Sequence, residues 1–286
     1  MAGLVLAAVL AAAAMHASWN AVAKLVPDQR VSAGLLALAG LGAGAVGAAV
    51  LPAPHPDAWP FLATSAVLQG AYLLLLVQAY RHGEFGQVYP LARGLPPPLV
   101  TMASWTLLGE HLTGGQLAGV VVVSLALTAL VFASGRATVA GRSGVGLAAL
   151  TGVVIATYTL VDGVGVRQSD HPLSYAMWLS FLQGGPVLAV GRLRYGRGFG
   201  SAMAGSARLG LAGGVLALMA YTVVLWAQSQ APLALVSALR ETSLLFAGAI
   251  GALVFRERFT LTRLAATAAA VAGIILLQTS WSGPSA

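Results

Sequence analysis

Apolar residues run along this chain in long stretches, each bounded by proline, glycine or charge. A bilayer span needs about 20 such residues. Counted this way the chain holds ten candidate spans, at about 2–25, 32–52, 58–80, 87–108, 114–134, 144–166, 173–191, 208–229, 232–254 and 261–280. The second is short and rich in glycine. The one long loop, near 192–207, carries Arg192, Arg194 and Arg197. The first span has no basic start and no small-residue cleavage site beyond it, so it reads as a retained helix and not as a signal peptide.

The order of runs repeats. Gln78-Ala79 through Gln87-Val88-Tyr89-Pro90-Leu91 parallels Trp226-Ala227 through Leu235-Val236-Ser237-Ala238-Leu239. Further on, Gly109-Glu110-His111-Leu112-Thr113 parallels Arg256-Glu257-Arg258-Phe259-Thr260. This divides the chain into units 1–139 and 140–286. Five spans per unit is an odd number, so the second unit would enter the membrane inverted, with a substrate site near the midplane between the two. The expectation is an all-α polytopic membrane protein of ten transmembrane helices in two inverted five-helix repeats.

Composition agrees with this pattern. The 286 residues are 58% hydrophobic and 8% charged, against about 25% charged in a soluble domain. The 35 glycines suit close helix approach. No cysteine is present, which removes disulfides, thiol catalysis and Cys-ligated metals. The net charge of +7 is not a nucleic-acid signal, because the positive residues lie in short loops beside helix ends. Loops after odd-numbered spans hold Lys24, Arg30, Arg81, Arg136, Arg142, Arg192, Arg194, Arg197, Arg208, Arg256, Arg258 and Arg263, and those after even-numbered spans only Arg167. Positive-inside counting therefore puts both termini outside.

Charge inside the spans marks the candidate site. Arg93 and Arg240 occupy matching places in the two units. A guanidinium in hydrocarbon costs at least ~2.5–3.5 kcal/mol, so such residues face a bundle interior or a wet cavity. Pro96-Pro97-Pro98 follows Arg93 and withholds N–H groups, so the fourth span should bend there and turn carbonyls toward the substrate. The ninth span has no matching prolines. Glu241 falls opposite Arg93 in the repeat. It either bridges to Arg93, locking spans 4 and 9, or acts as a proton-coupling carboxylate. Ser237 and Tyr89 lie one turn before Glu241 and Arg93. His16, Asn20 and Lys24 form one stripe on span 1, with Lys24 placed to snorkel. Tyr158 and Asp162 form the corresponding stripe on span 6, where Asp162 is a second coupling candidate and would pair with Lys24 or Arg167. Tyr72 and Tyr221 are candidate cavity aromatics. Arg93, Arg240 and Glu241 leave one excess positive charge, which suits an anionic or zwitterionic substrate. Glu110, Arg256 and Glu257 sit at loop edges and read as helix-capping residues. No catalytic, metal or cofactor constellation stands out, and no enzyme activity is expected.

With these motifs in view, the chain resembles the EamA branch of the drug/metabolite transporter superfamily over essentially its full length. The resemblance rests on the repeat of five spans, His16-Ala17-Ser18-Trp19-Asn20, Tyr89-Pro90-Leu91-Ala92-Arg93-Gly94, Leu108-Gly109-Glu110, Asp162-Gly163-Val164-Gly165-Val166-Arg167 and Ala238-Leu239-Arg240-Glu241-Thr242-Ser243. It implies a secondary carrier of small metabolites, often outward, with spans 1, 3, 4, 6, 8 and 9 around a central cavity. It also implies cytoplasmic termini, opposite to the loop count. The implied setting is the inner cell membrane, with a small-molecule substrate, the lipid bilayer and a proton as coupling ion for partners, the chain acting as monomer or homodimer. A channel or lipid scramblase on the same fold is the alternative.

Overall fold

A computed structural model describes residues 2–82, 92–132, 142–254 and 261–279. The helices are α1 (Ala2–Leu25), α2 (Gln29–Val50), α3 (Trp59–His82), α4 (Pro96–Leu108), α5 (Gly114–Phe132) and α6 (Arg142–Arg167), followed by α7 (Pro172–Tyr195), α8 (Phe199–Gly205), α9 (Ala207–Gln230), α10 (Leu233–Arg240), α11 (Ser243–Val254) and α12 (Leu261–Thr279). Among the described residues no strand occurs, and seven helical stretches are long and apolar enough to cross a membrane. The short α8 forms where the sequence reading leaves a loop. It folds there because Phe199 and Met203 bury against Val26, Val31 and Leu35.

Large apolar side chains cover much of the outer surface while several charged and polar ones are sealed inside. Leu253 is 84% exposed and Leu107 77%, whereas Asp162 and Thr242 are 0%. Apolar side chains outside and polar ones inside are stable only where the surrounding solvent is hydrocarbon. The chain is a multi-pass, all-α membrane protein.

The principal helix contacts join early and late parts of the chain. α2 packs on α7, α3 on α6, α1 on α9 and α5 on α12, followed by α2 on α9, α1 on α11, α3 on α7, and α4 on both α6 and α10. Small residues allow the closest of these. A Cβ on Gly44 of α2 would lie 2.6 Å from the Met177 carbonyl oxygen of α7, so only glycine lets the two backbones meet there.

Two helices that carry charge are broken. Residues 92–94 form a helical turn, Leu95 bends away, and α4 begins at the proline triplet. Prolines are accepted in a first helical turn because their missing N–H groups have no intrahelical partner there. The bend does not bare every carbonyl to a cavity as expected: the Ala92 carbonyl faces α6, 3.2 Å from where a Cβ on Gly152 would sit. The second break separates α10 from α11, in the expected ninth span, which lacks the prolines of the fourth. Here Glu241 N–H donates to Ala238 O at 3.3 Å and Thr242 N–H to Leu239 O at 3.1 Å. The Thr242 hydroxyl also donates to Leu239 O at 2.7 Å. Tight i→i−3 bonds and a hydroxyl that competes for a backbone carbonyl interrupt this helix without proline.

Candidate functional site

The breaks bring together charges that lie far apart in sequence. Arg93, 6% exposed, places Nε 3.4 Å from Glu241 Oε2. This is the pairing expected from their matched repeat positions. Removing either member would strand the other charge in a low-dielectric interior, at a cost of about 3–5 kcal/mol. Arg93 Nη2 also lies 3.3 Å from His16 Nε2. The other ring nitrogen of His16 faces the Trp19 indole N–H at 3.2 Å. A neutral imidazole accepts at one nitrogen only. Trp19 N–H and the Arg93 guanidinium therefore compete for the one imidazole lone pair, and Trp19 stands edge-on to the imidazole with centroids 5.0 Å apart. His16 thus joins α1 to the ion pair. Asn20, on the same stripe, donates its amide to the His16 carbonyl at 2.7 Å, and Lys24 at the end of α1 is exposed.

Arg240 is oriented differently. Its guanidinium carbon lies 5.8 Å from the centroid of the Tyr221 ring, a cation–π geometry worth roughly 0.5–2 kcal/mol. No carboxylate lies within ion-pair distance of it among the described residues. A narrow recess between α1, α9 and α10 is lined by Ala12, Ala13, His16, Ala220, Tyr221, Val224 and Arg240. Four small or apolar residues, one aromatic face, one imidazole and one guanidinium line it around a void of about 10 Å³, room for about one water.

Asp162 anchors a second polar cluster, and its partners correct the expected pairing with Lys24 or Arg167. Tyr175 donates its hydroxyl to Oδ1 at 3.0 Å. Tyr221 donates a short hydrogen bond to Oδ2, and Gln69 Nε2 reaches the same oxygen at 3.3 Å. Gln69 also contacts Ser65 Oγ at 3.1 Å. Arg167 is unavailable to Asp162 because it pairs with Glu110 at 2.7 Å. With Asp162 included, the two guanidiniums of buried Arg93 and half-buried Arg240 face two buried carboxylates, and the expected excess positive charge disappears. Asp162 is sealed, however, and Arg240 remains the charged wall of the recess.

The remaining candidates separate. Ser237 is buried within α10. Tyr72 stacks edge-on to Tyr158 at 6.0 Å, on the α3–α6 side. Tyr89, Arg256 and Glu257 lie outside the described residues. Tyr175 and Ser65 were not among the expected site residues. Tyr175 stands near a helix start, where tyrosine ordinarily reads as an interfacial anchor, and a lone serine in a membrane helix carries little signal. Glu110 acts as expected of a loop-edge carboxylate and accepts from the Leu233 N–H at 2.8 Å.

Comparison with known proteins places this architecture. Residues 142–279 match the sequence model of the EamA-like transporter family. A solved crystal structure is similar over 96% of this chain and 96% of its own, with a TM-score of 0.72 at 17% identity. At that identity the likeness shows the fold. No curated protein matches the chain in sequence.

Proposed function

We propose that this chain, a member of the EamA-like transporter family by its match over residues 142–279, is a secondary carrier that exports a small amphipathic anion or zwitterion by alternating access. The observation that carries the reading is the recess holding Arg240 beside Tyr221, His16 and small apolar residues. A planar fork of donors suits a carboxylate, phosphonate or similar two-oxygen group. The apolar walls suit the rest of the molecule once the recess, closed here to about 10 Å³, widens in the transport cycle, and the Arg93–Glu241 pair crosses the bundle as the internal lock.

The topology proposed is ten spans in two inverted five-helix repeats, in the inner cell membrane. Taking the described α10 and α11 as one span, and omitting α8 as too short to cross, the helices supply one segment per expected span. The main pairings then fall between spans 1 and 8, 2 and 7, 3 and 6, 4 and 9, and 5 and 10, with further contacts between 2 and 8, 3 and 7, 1 and 9, and 4 and 6. Shifting every number by five returns the same set, which supports a two-fold relation between the halves. Breaks in spans 4 and 9, at Leu95 and at Glu241–Thr242, support it independently. Interrupted helices at corresponding places are the mark of a transporter's central site.

Metabolite profiling of medium from knockout and overexpressing cells identifies the exported compound. Counterflow in proteoliposomes then tests the mechanism. A carrier shows faster uptake when unlabelled substrate is loaded on the opposite side. Uptake indifferent to that load indicates a channel and overturns alternating access.

A further inference from the structure

We propose that Glu110 and Arg167 form a gate that closes one end of the transport path and holds the helix carrying Arg240 in place. This inference rests on the carrier reading above.

The gate is built where four helix ends meet. Leu108 is the last residue of α4, and Gly109 follows with φ 66°, a left-handed conformation that favours glycine. Glu110 N–H donates back to Ser104 O at 3.1 Å, so the turn delivers the Glu110 side chain to a fixed spot. Arg167, the last residue of α6, meets it there at 2.7 Å. Arg167 Nε donates to Gln228 O at 2.9 Å and Nη2 to Ala231 O at 2.9 Å. These carbonyls at the C-terminal end of α9 have no helical partners of their own. Glu110 Oε2 accepts from the first N–H of α10, at Leu233. Cation at a helix C-terminus and carboxylate at a helix N-terminus both match the helix dipoles.

The position suits a barrier. Along α10, between its anchor at Leu233 and Arg240, Leu235, Val236 and Leu239 pack into an apolar cluster with Val9 and Ala227. On the outer side of the pair a cleft holds His55, Asp57, Arg167 and Asp170. The turn at 51–58 opens onto this same face. Opening it requires α6 to part from the α9–α10 corner, where Arg167 is the charged bridge at the outer end, beyond the Leu233 side chain packed on Gly163 and the Tyr221–Asp162 hydrogen bond.

The gate also reaches the site through α10. This helix is eight residues long, about 10 Å from first to last residue. It is anchored at Leu233 by Glu110 and broken beyond Arg240. Releasing Glu110 frees the Leu233 end of α10 to move about the Glu241–Thr242 break and turns the Arg240 side chain, which sits at that break. Opening of this face and release of a bound anion are thereby one motion.

Natural absence of cysteine gives a direct test that needs no substrate. Ala220→Cys places a single thiol in the recess. The protein is reconstituted in sealed vesicles and labelled with a membrane-impermeant maleimide from either face. With the gate intact, labelling from the 51–58 face is slow. Glu110→Gln and Arg167→Gln should each speed it about tenfold from that face alone, the population shift produced by losing one charge-assisted hydrogen bond. Arg167→Lys, which retains charge without the fork, should give an intermediate rate and serves if the glutamine variants do not fold. Unchanged rates in every folded variant, or equal acceleration from both faces, overturn the gate and leave the pair a general staple of the fold. Neither result touches the assignment of Arg240, which is read with ligands.

Discussion

Glu241 and Asp162 are both carboxylates sealed inside one bundle, 3% and 0% exposed, yet their burial is offset in opposite ways. Glu241 faces a guanidinium, that of Arg93. Asp162 has no cation within ion-pair reach among the described residues; the hydroxyls of Tyr175 and Tyr221 and the amide of Gln69 answer it. Charge answered by charge is all-or-none, since losing one partner strands the other. Charge answered by three dipoles weakens by increments, one hydrogen bond at a time. The first arrangement locks helices together. The second braces a side chain: Tyr221, held at its hydroxyl by Asp162, keeps its ring beneath Arg240.

Substitutions can break this contrast, and the largest effect belongs to the ion pair. Glu241→Gln or Arg93→Gln alone should cost about 3–5 kcal/mol in unfolding of the detergent-purified protein, while the double substitution recovers more than half of that loss. Additive losses in the double variant would mean that the two charges do not depend on each other. Asp162→Asn should cost less, about 1–3 kcal/mol, because one of three donors then meets an amide N–H in place of an acceptor. A loss as large as that of Glu241→Gln would contradict the dipole account. Smallest is Tyr221→Phe, at about 0.5–1.5 kcal/mol. It removes one donor to Asp162 and keeps the ring under Arg240, so anion binding should persist, whereas Tyr221→Leu should weaken it further through the lost cation–π contact.

The same contrast explains what could be read from sequence. A lone charge in a 20-residue apolar run is conspicuous, because hydrocarbon tolerates it only with a purpose. Arg93, Arg240, Glu241 and Asp162 were visible on that ground, and the repeat suggested which two would meet. Partners that are neutral are hidden. Tyr175 and Ser65 carry no charge and sit on helices whose faces are set by tertiary packing, so no local pattern links them to Asp162. The prolines announced the bend near Leu95. The Glu241–Thr242 break arises from i→i−3 bonds and a threonine hydroxyl, chemistry that many unbroken helices also contain. Arg167 looked like a neighbour for Asp162 by spacing alone. Carbonyls at the end of α9 and the Glu110 carboxylate, both remote in sequence, compete for it and win by geometry.

The account centres on Arg240 as the anchor for an anionic group. The most direct measurement is the affinity of purified wild-type, Arg240→Lys and Arg240→Ala proteins for a panel of small carboxylates and phosphonates, read by thermal stabilisation. Members with an apolar body should stabilise the wild type. Arg240→Lys should fold normally and bind them more weakly by about 1–3 kcal/mol, because the point charge cannot make the two-pronged contact. Arg240→Ala should fold and show no stabilisation by these anions. Wild-type affinity in Arg240→Lys, or stabilisation only by purely cationic compounds, would contradict the account and move the binding role to Glu241.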